Sequence, residues 1–198
     1  MENHKMDNVI IQLAENNEIH EAAHVLSFAM IDNPIHFAVY QGQGEKERVK
    51  TEKAFLDILN EIQAKIFLAK SGEKIIGVMR MRLCNGSEVS NNKEESEGAD
   101  NFEFRKALWL NEWAIRDPSY PNWHFGPLGV LPVFQKQGVG SKIMQRVCAE
   151  VDELKAIAYL ETDRERNVGL YSKFGFEVVD ESMILNVKNS YMRRTNKS

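Results

Sequence analysis

Leu128-Gly129-Val130-Leu131-Pro132-Val133-Phe134-Gln135-Lys136-Gln137-Gly138-Val139-Gly140-Ser141 decides how the chain is read. The spacing predicts a strand over 123–130, a loop over 132–135 and an amphipathic helix over 137–154. In that helix Val139, Ile143, Met144, Val147, Val151 and Leu154 recur on one face. Gly138 and Gly140 fall in its first turn, where each glycine costs about 1 kcal/mol relative to alanine. Glycine lets a ligand approach the backbone, and a helix start offers unpaired N–H groups at the positive end of the dipole. Together they make a cradle for a diphosphate; the plain alternative is a glycine-softened junction between loop and helix.

Two other phosphate motifs fit less well. A P-loop ends in Gly-Lys-Ser or Gly-Lys-Thr, whereas the order here is Gly140-Ser141-Lys142. A dinucleotide fingerprint would use Glu161, at the end of the next strand, as its ribose-binding acid. Its third glycine is missing, and the chain ends at residue 198, too soon for a doubly wound domain.

Working outward, 9–13 reads as a short strand and 18–31 as a helix that Asn33-Pro34 closes. A second helix is expected over 45–61, burying Val49, Phe55, Leu56, Leu59 and Ile62. Residues 66–69 form a strand before the turn Ser71-Gly72-Glu73. In the following strand Met79, Met81 and Leu83 alternate with Arg80 and Arg82, which predicts one buried and one wet face. The stretch 85–101 is acidic and rich in Ser and Asn, and is expected to be a mobile surface loop. A helix over 102–115 carries Trp109 and Trp113 one turn apart, and Asp117-Pro118 closes it. Strands follow over 157–161, 176–179 and 183–193, with a short helix over 168–174. The expectation is a single α/β domain over 1–198, with 1–8 and 195–198 flexible.

Composition narrows the function. The net charge is −4 with 27% charged residues and no long basic stripe, so nucleic-acid binding has no visible source of phosphate neutralisation. Two cysteines, Cys84 and Cys148, fit a reducing compartment and supply no disulfide framework. No signal-peptide core and no run of membrane-spanning length is present in the sequence, so a cytoplasmic protein without membrane partners is expected.

Gln135-Lys136-Gln137-Gly138-Val139-Gly140 matches the Gln/Arg-x-x-Gly-x-Gly/Ala pattern of the GNAT superfamily of N-acetyltransferases, which this chain resembles. A second motif follows at the family's separation: Leu160-Glu161-Thr162, Asn167, Tyr171 and Phe174-Gly175-Phe176. The resemblance covers 123–179 closely. Trp109, Trp113, Asp117-Pro118 and Trp123-His124-x-Gly126-Pro127 resemble the puromycin acetyltransferase-like branch. The implied fold is a mixed, mostly antiparallel sheet of about seven strands flanked by helices. It would be splayed between the strand ending at Val130 and the strand ending at Glu161, where acetyl-coenzyme A enters.

The resemblance also implies roles. The main chain of Leu128, Gly129 and Val130 would pair with pantetheine. Gln135 opens the diphosphate loop, and the N–H groups of Lys136, Gln137, Gly138, Val139, Gly140 and Ser141 would hold the diphosphate. Lys136 and Lys142 would meet the 3′-phosphate. Asn167 would bind the pantetheine arm, or act as a plain N-cap. Tyr171 would protonate the departing thiolate, or serve as a core aromatic. Glu161 resembles the suggested base of the puromycin-type enzymes, or is a structural hydrogen-bond acceptor. The partner would be an amine-bearing acceptor, most simply a small molecule, and a homodimer fits such folds. A non-catalytic acyl-coenzyme A-binding module is the first alternative.

A rival of another class comes from His20-Glu21-Ala22-Ala23-His24, the H-E-x-x-H pattern of zinc peptidases. Ser27 and Met30 stand where an extended motif would continue, so the third ligand would have to be Glu45 or Glu47. A chance surface pair is the simpler reading, and no metal is expected.

Overall fold

The structure, a computed structural model, describes residues 8–86 and 101–195. The outermost termini and nearly all of the expected acidic loop lie outside the described residues. Seven strands form: β1 (Ile10–Leu13), β2 (Ala64–Ser71), β3 (Lys74–Cys84), β4 (Asn122–Val130), β5 (Ala158–Thr162), β6 (Glu177–Ile184) and β7 (Val187–Arg194). They build one mixed sheet in the order β1-β2-β3-β4-β5-β7-β6. Every neighbour pair is antiparallel except β4 with β5. That parallel pair is joined at Trp123↔Ala158 and His124↔Tyr159, and the strands part beyond it. The α/β architecture and the open sheet agree with the reading of the sequence.

Helix α5 (Val139–Glu153) buries Val139, Ile143, Met144, Val147 and Val151 of the stripe its spacing predicts, together with Cys148, whereas Leu154 caps the helix and is exposed. It packs on one face of the sheet, against Phe67, Met79, Met81 and Phe125. The opposite face carries α1 (Ile19–Ala29) and α3 (Glu45–Leu59), whose Leu26, Phe55 and Leu59 meet Leu68 and Val78. A third cluster joins α2 (Pro34–Tyr40) and α4 (Phe102–Arg116) to the β6–β7 hairpin through Ile35, Val39 and Ile184.

Four local expectations are corrected. Asn33-Pro34 does end α1, but it also starts α2: Asn33 Oδ1 accepts from His36 N at 3.1 Å, and Pro34 occupies the first turn. Proline lacks only an N–H that a first turn leaves unpaired anyway, so the same dipeptide stops one helix and opens another. In α3 the buried line is Arg48, Thr51, Phe55 and Leu59, which turns Val49 to solvent; Ile62 lies past the helix end and is exposed. Arg48 is tolerated inside because Glu45, Glu52 and Ser27 surround its guanidinium. Third, Arg80 is buried: Nε donates to Ile58 O at 3.0 Å, Nη1 donates to Gly126 O at 3.1 Å, and Glu61 pairs its charge. The polar face of β3 is therefore internal at Arg80, while Arg82 stays partly exposed. Fourth, the last strands form a hairpin whose turn residues Leu185 and Asn186 have φ of 50° and 62°. This two-residue turn matches the twist of the paired strands, but Leu-Asn is a faint signal for it.

Candidate functional site

Where β4 and β5 separate, a cleft of about 780 Å³ opens into the molecule. Of the residues given a catalytic or coenzyme role above, twelve line it; Gln137 and Lys142 do not. The Gln137 side chain donates instead to Val133 O at 2.8 Å and stiffens the turn. On the β4 side, Gln135 Nε2 donates to Val130 O at 3.0 Å, tying the strand end to the loop. Gly129 is small for a second reason: a Cβ there would lie 2.8 Å from Ala29 Cβ and Leu26 Cδ2 of α1.

One end of the cleft is the start of α5. Lys136 and Gly138 adopt left-handed φ of 60° and 84°, which turns the chain into the helix. The first helical bond runs from Lys142 N to Gly138 O at 3.0 Å. The N–H groups of Val139, Gly140 and Ser141 therefore have no acceptor inside the helix. A Cβ on Gly140 would meet nothing within 4 Å, so the fold does not need glycine there. Residues of this loop and turn line the cleft, so a diphosphate placed there meets bare amides and the positive end of the helix dipole.

The middle of the cleft holds β5 and α6 (Glu165–Ser172). Asn167 is within α6, its N–H bonded to Arg164 O at 2.9 Å, so the capping position belongs to Arg164 and the N-cap alternative fails. Its Nδ2 donates to Thr162 Oγ1 at 3.3 Å. Tyr171 is buried on the same helix. Burial, then the charges of Asp163 and Glu161, push the phenol pKa up, so Tyr171 holds its proton at neutral pH.

Glu161 is 3% exposed at its side chain, and its Oε2 lies 2.7 Å from His124 Nε2. Its other oxygen, Oε1, has no hydrogen-bond partner within the protein. Burial opposes charging of His124, but the Glu161 carboxylate, by charge and hydrogen bond, and Asp117 outweigh it and hold the imidazole pKa above its ordinary value. The sequence had flagged Glu161 but given His124 no role. Their separation of 37 residues hides a contact that only parallel pairing of β4 with β5 creates.

The far end is walled by aromatic side chains of α2, α3 and α4: Tyr40, Phe55, Trp109 and Trp113. His36 lies among them, its ring centroid 5.6 Å from that of Phe55 and 5.4 Å from that of Trp109. Burial, followed by the Arg164 charge, lowers its pKa to about 4. Asp163 fixes this end to the sheet, accepting from Asn33 Nδ2 at 3.0 Å and from Ile35 N at 2.8 Å.

The rival metal motif stands elsewhere. His24 Nδ1 is 3.0 Å from Glu52 Oε2, and Glu45 is engaged by Arg48. Among the described residues no group of three His, Cys, Asp or Glu side chains is placed to hold a metal.

Fold and cleft together define a class of acyl-transfer protein, and sequence comparison agrees. The acetyltransferase (GNAT) family model matches residues 30–176, and the chain belongs to that family. Among curated proteins none matches the chain. Solved structures show the same fold at low identity. Arylalkylamine N-acetyltransferase 2 from Aedes aegypti has a TM-score of 0.74 at 15% identity, covering 96% of this chain and 100% of its own. An agmatine N-acetyltransferase mutant has a TM-score of 0.71 at 12% identity, with coverage of 96% and 100%. A GNAT acetyltransferase from Brucella melitensis in complex with acetyl-CoA gives 0.57 at 15%, covering 96% and 90%. No helix among the described residues is long and apolar enough to cross a membrane.

Proposed function

We propose that this protein, acting as one acetyltransferase domain, moves the acetyl group of acetyl-coenzyme A to the primary amine of a small molecule by direct transfer. One observation carries the reading: a single cleft joins the bare amides at the head of α5 to the buried Glu161–His124 pair and Tyr171. The N–H groups of Val139, Gly140 and Ser141 bind the diphosphate. The open edge of β4 receives the pantetheine arm, with Asn167 opposite. Glu161 Oε1 takes a proton from the acceptor ammonium, and the freed nitrogen attacks the thioester carbon. As the C–S bond breaks, Tyr171 donates its proton to sulfur and later regains one from the nitrogen. Positioned acid and base groups contribute about 10²–10⁴-fold each.

The walls at the far end support an acceptor with a flat apolar body, because aromatic pairs gain about 0.5–1.5 kcal/mol beyond simple burial. Trp109 and Trp113, part of the puromycin-type pattern, belong to that wall. The names of two structural neighbours point to small amines, arylalkylamines and agmatine; the aromatic lining favours the first kind. The test is thiol release from acetyl-coenzyme A across arylalkylamines, agmatine, polyamines and amino acids, comparing wild type with Tyr171→Phe. Turnover on aromatic amines that collapses in the variant is expected. Calorimetric binding of acetyl-coenzyme A without turnover on any amine would make the protein a binding module.

A further inference from the structure

A second cavity, about 260 Å³, adjoins the cleft along the same face of the sheet. Strand alternation puts Arg80, Arg82 and Cys84 of β3 on one face, together with Asn122 and His124 of β4. In the β3–β4 register Arg82 stands opposite His124, and Cys84 opposite Asn122. The Arg82–His124 rung lines both cavities and is the wall between them. Cys84, Asn122 and Asp117 line only the second, which reaches the surface at exposed Asn85.

Three buried polar atoms of these residues have no hydrogen-bond partner within the protein: Arg82 Nε, Asn122 Oδ1 and His124 Nδ1. Buried polar atoms are satisfied by protein or by ordered water. A polar space of this size has room for several waters, at roughly 30 Å³ each. His124 thus touches Glu161 through Nε2 and has its other nitrogen in need of a partner beside a polar cavity.

We infer that His124 carries the acceptor's proton out of the cleft and into this second cavity, with Asp117 as the fixed base that receives it there. The inference rests on the proposed amine acetylation. One proton enters the Glu161–His124 pair from the acceptor ammonium at Glu161 Oε1. One proton leaves the pair from His124 Nδ1, through water, to the Asp117 carboxylate and then to solvent. The pair ends with as many protons as it began with, and nothing is oxidised or reduced. The groups facing His124 suit this traffic: Glu161 and Tyr159 from β5, Arg80 and Arg82 from β3 with Glu61 on their guanidinium groups, and Asp117 after α4. Burial and then the Glu161 charge raise the Asp117 pKa, against His124 and Arg82, so its carboxylate takes up a proton more readily than an ordinary aspartate. His124 acts through Glu161 and is a positioning and relay residue.

Two variants test this in the full chain. His124→Gln keeps a hydrogen-bond donor for Glu161 but cannot relay. Its kcat should fall about 10²-fold, with the acidic limb of the pH–rate profile displaced. Cys84→Met fills the second cavity from a residue that touches neither the cleft nor Glu161. It should lower kcat about tenfold, raise the solvent deuterium isotope effect and leave the KM of acetyl-coenzyme A and of the amine unchanged. Calorimetry with coenzyme A verifies folding; if His124→Gln fails to bind, Cys84→Met alone decides. Wild-type kcat, pH profile and isotope effect in Cys84→Met would overturn the relay while leaving amine acetylation intact. A wild-type protein that turns over no amine would instead overturn the proposed function.

Discussion

The two ends of the cleft are built from different materials. The proposed coenzyme end is backbone: amides at the head of α5, a left-handed turn at Lys136 and Gly138, and the edge of β4. The proposed acceptor end is side chains: Tyr40, Phe55, Trp109 and Trp113, brought from α2, α3 and the α4 helix that lies far from both in sequence. A backbone site is specified by a few consecutive residues, so it is written locally. A side-chain site is specified by how helices land on a sheet, and tolerates many sequences. The same contrast separates two glycines. Gly129 is required by close packing under α1, whereas Gly140 faces open space and matters only if a ligand comes.

Four changes would sharpen or break that contrast. Glu161→Gln, where the two ends meet, should lower kcat by about 10²–10⁴-fold while coenzyme A binding stays intact by calorimetry. Acid should act on the far end of the cleft through His36. His36 has a folded pKa of about 4 against an ordinary value of 6.5. Its contribution to stability is complete above the ordinary value and is lost as pH falls toward the folded value, at up to about 1.4 kcal/mol per pH unit. His124, whose folded pKa is raised, adds nothing to that slope below its ordinary value because it is charged in both states. Urea unfolding at pH 7, 5.5 and 4.5 should show the slope in wild type and a shallower one in His36→Phe.

At the coenzyme end, Gly140→Asp places an acid in the first turn of α5. The helix should hold or gain about 0.3–1 kcal/mol from the dipole, while coenzyme A binding weakens about tenfold, near 1.4 kcal/mol, by repulsion from the diphosphate. Thermal melts and calorimetry would show the two moving in opposite directions. The smallest effect is expected from Trp109→Ala: a loss of about 3- to 10-fold in kcat/KM for aromatic amines, from the missing ring contact, with little change for agmatine. An equal loss on every amine would give Trp109 a purely structural part.

Much of the site was legible before the fold. The Gly138 and Gly140 pair and Asn167 with Tyr171 one turn apart are local patterns that line one cleft; the stripe of α5 is equally local and packs on the sheet. Gln137 was included because it lies inside the motif, yet its side chain turns back to Val133. His124 could not be recognised, because its partner arrives from a strand paired in parallel far along the chain. Arg80 looked like part of a solvated face, since alternation tells one side of a strand from the other but not what covers it.

The sequence by itself determined most helices, most strands and the glycine turn ahead of α5, because their causes are periodicity, capping and glycine freedom within a few residues of one another. The tertiary structure alone decided that β4 and β5 part after two rungs, that Glu161 meets His124, and that aromatic side chains of α2, α3 and α4 wall the far end of the cleft. Those contacts depend on strand order and on helices crossing the sheet. No local pattern encodes a distance between residues that chain topology, and not sequence proximity, brings together.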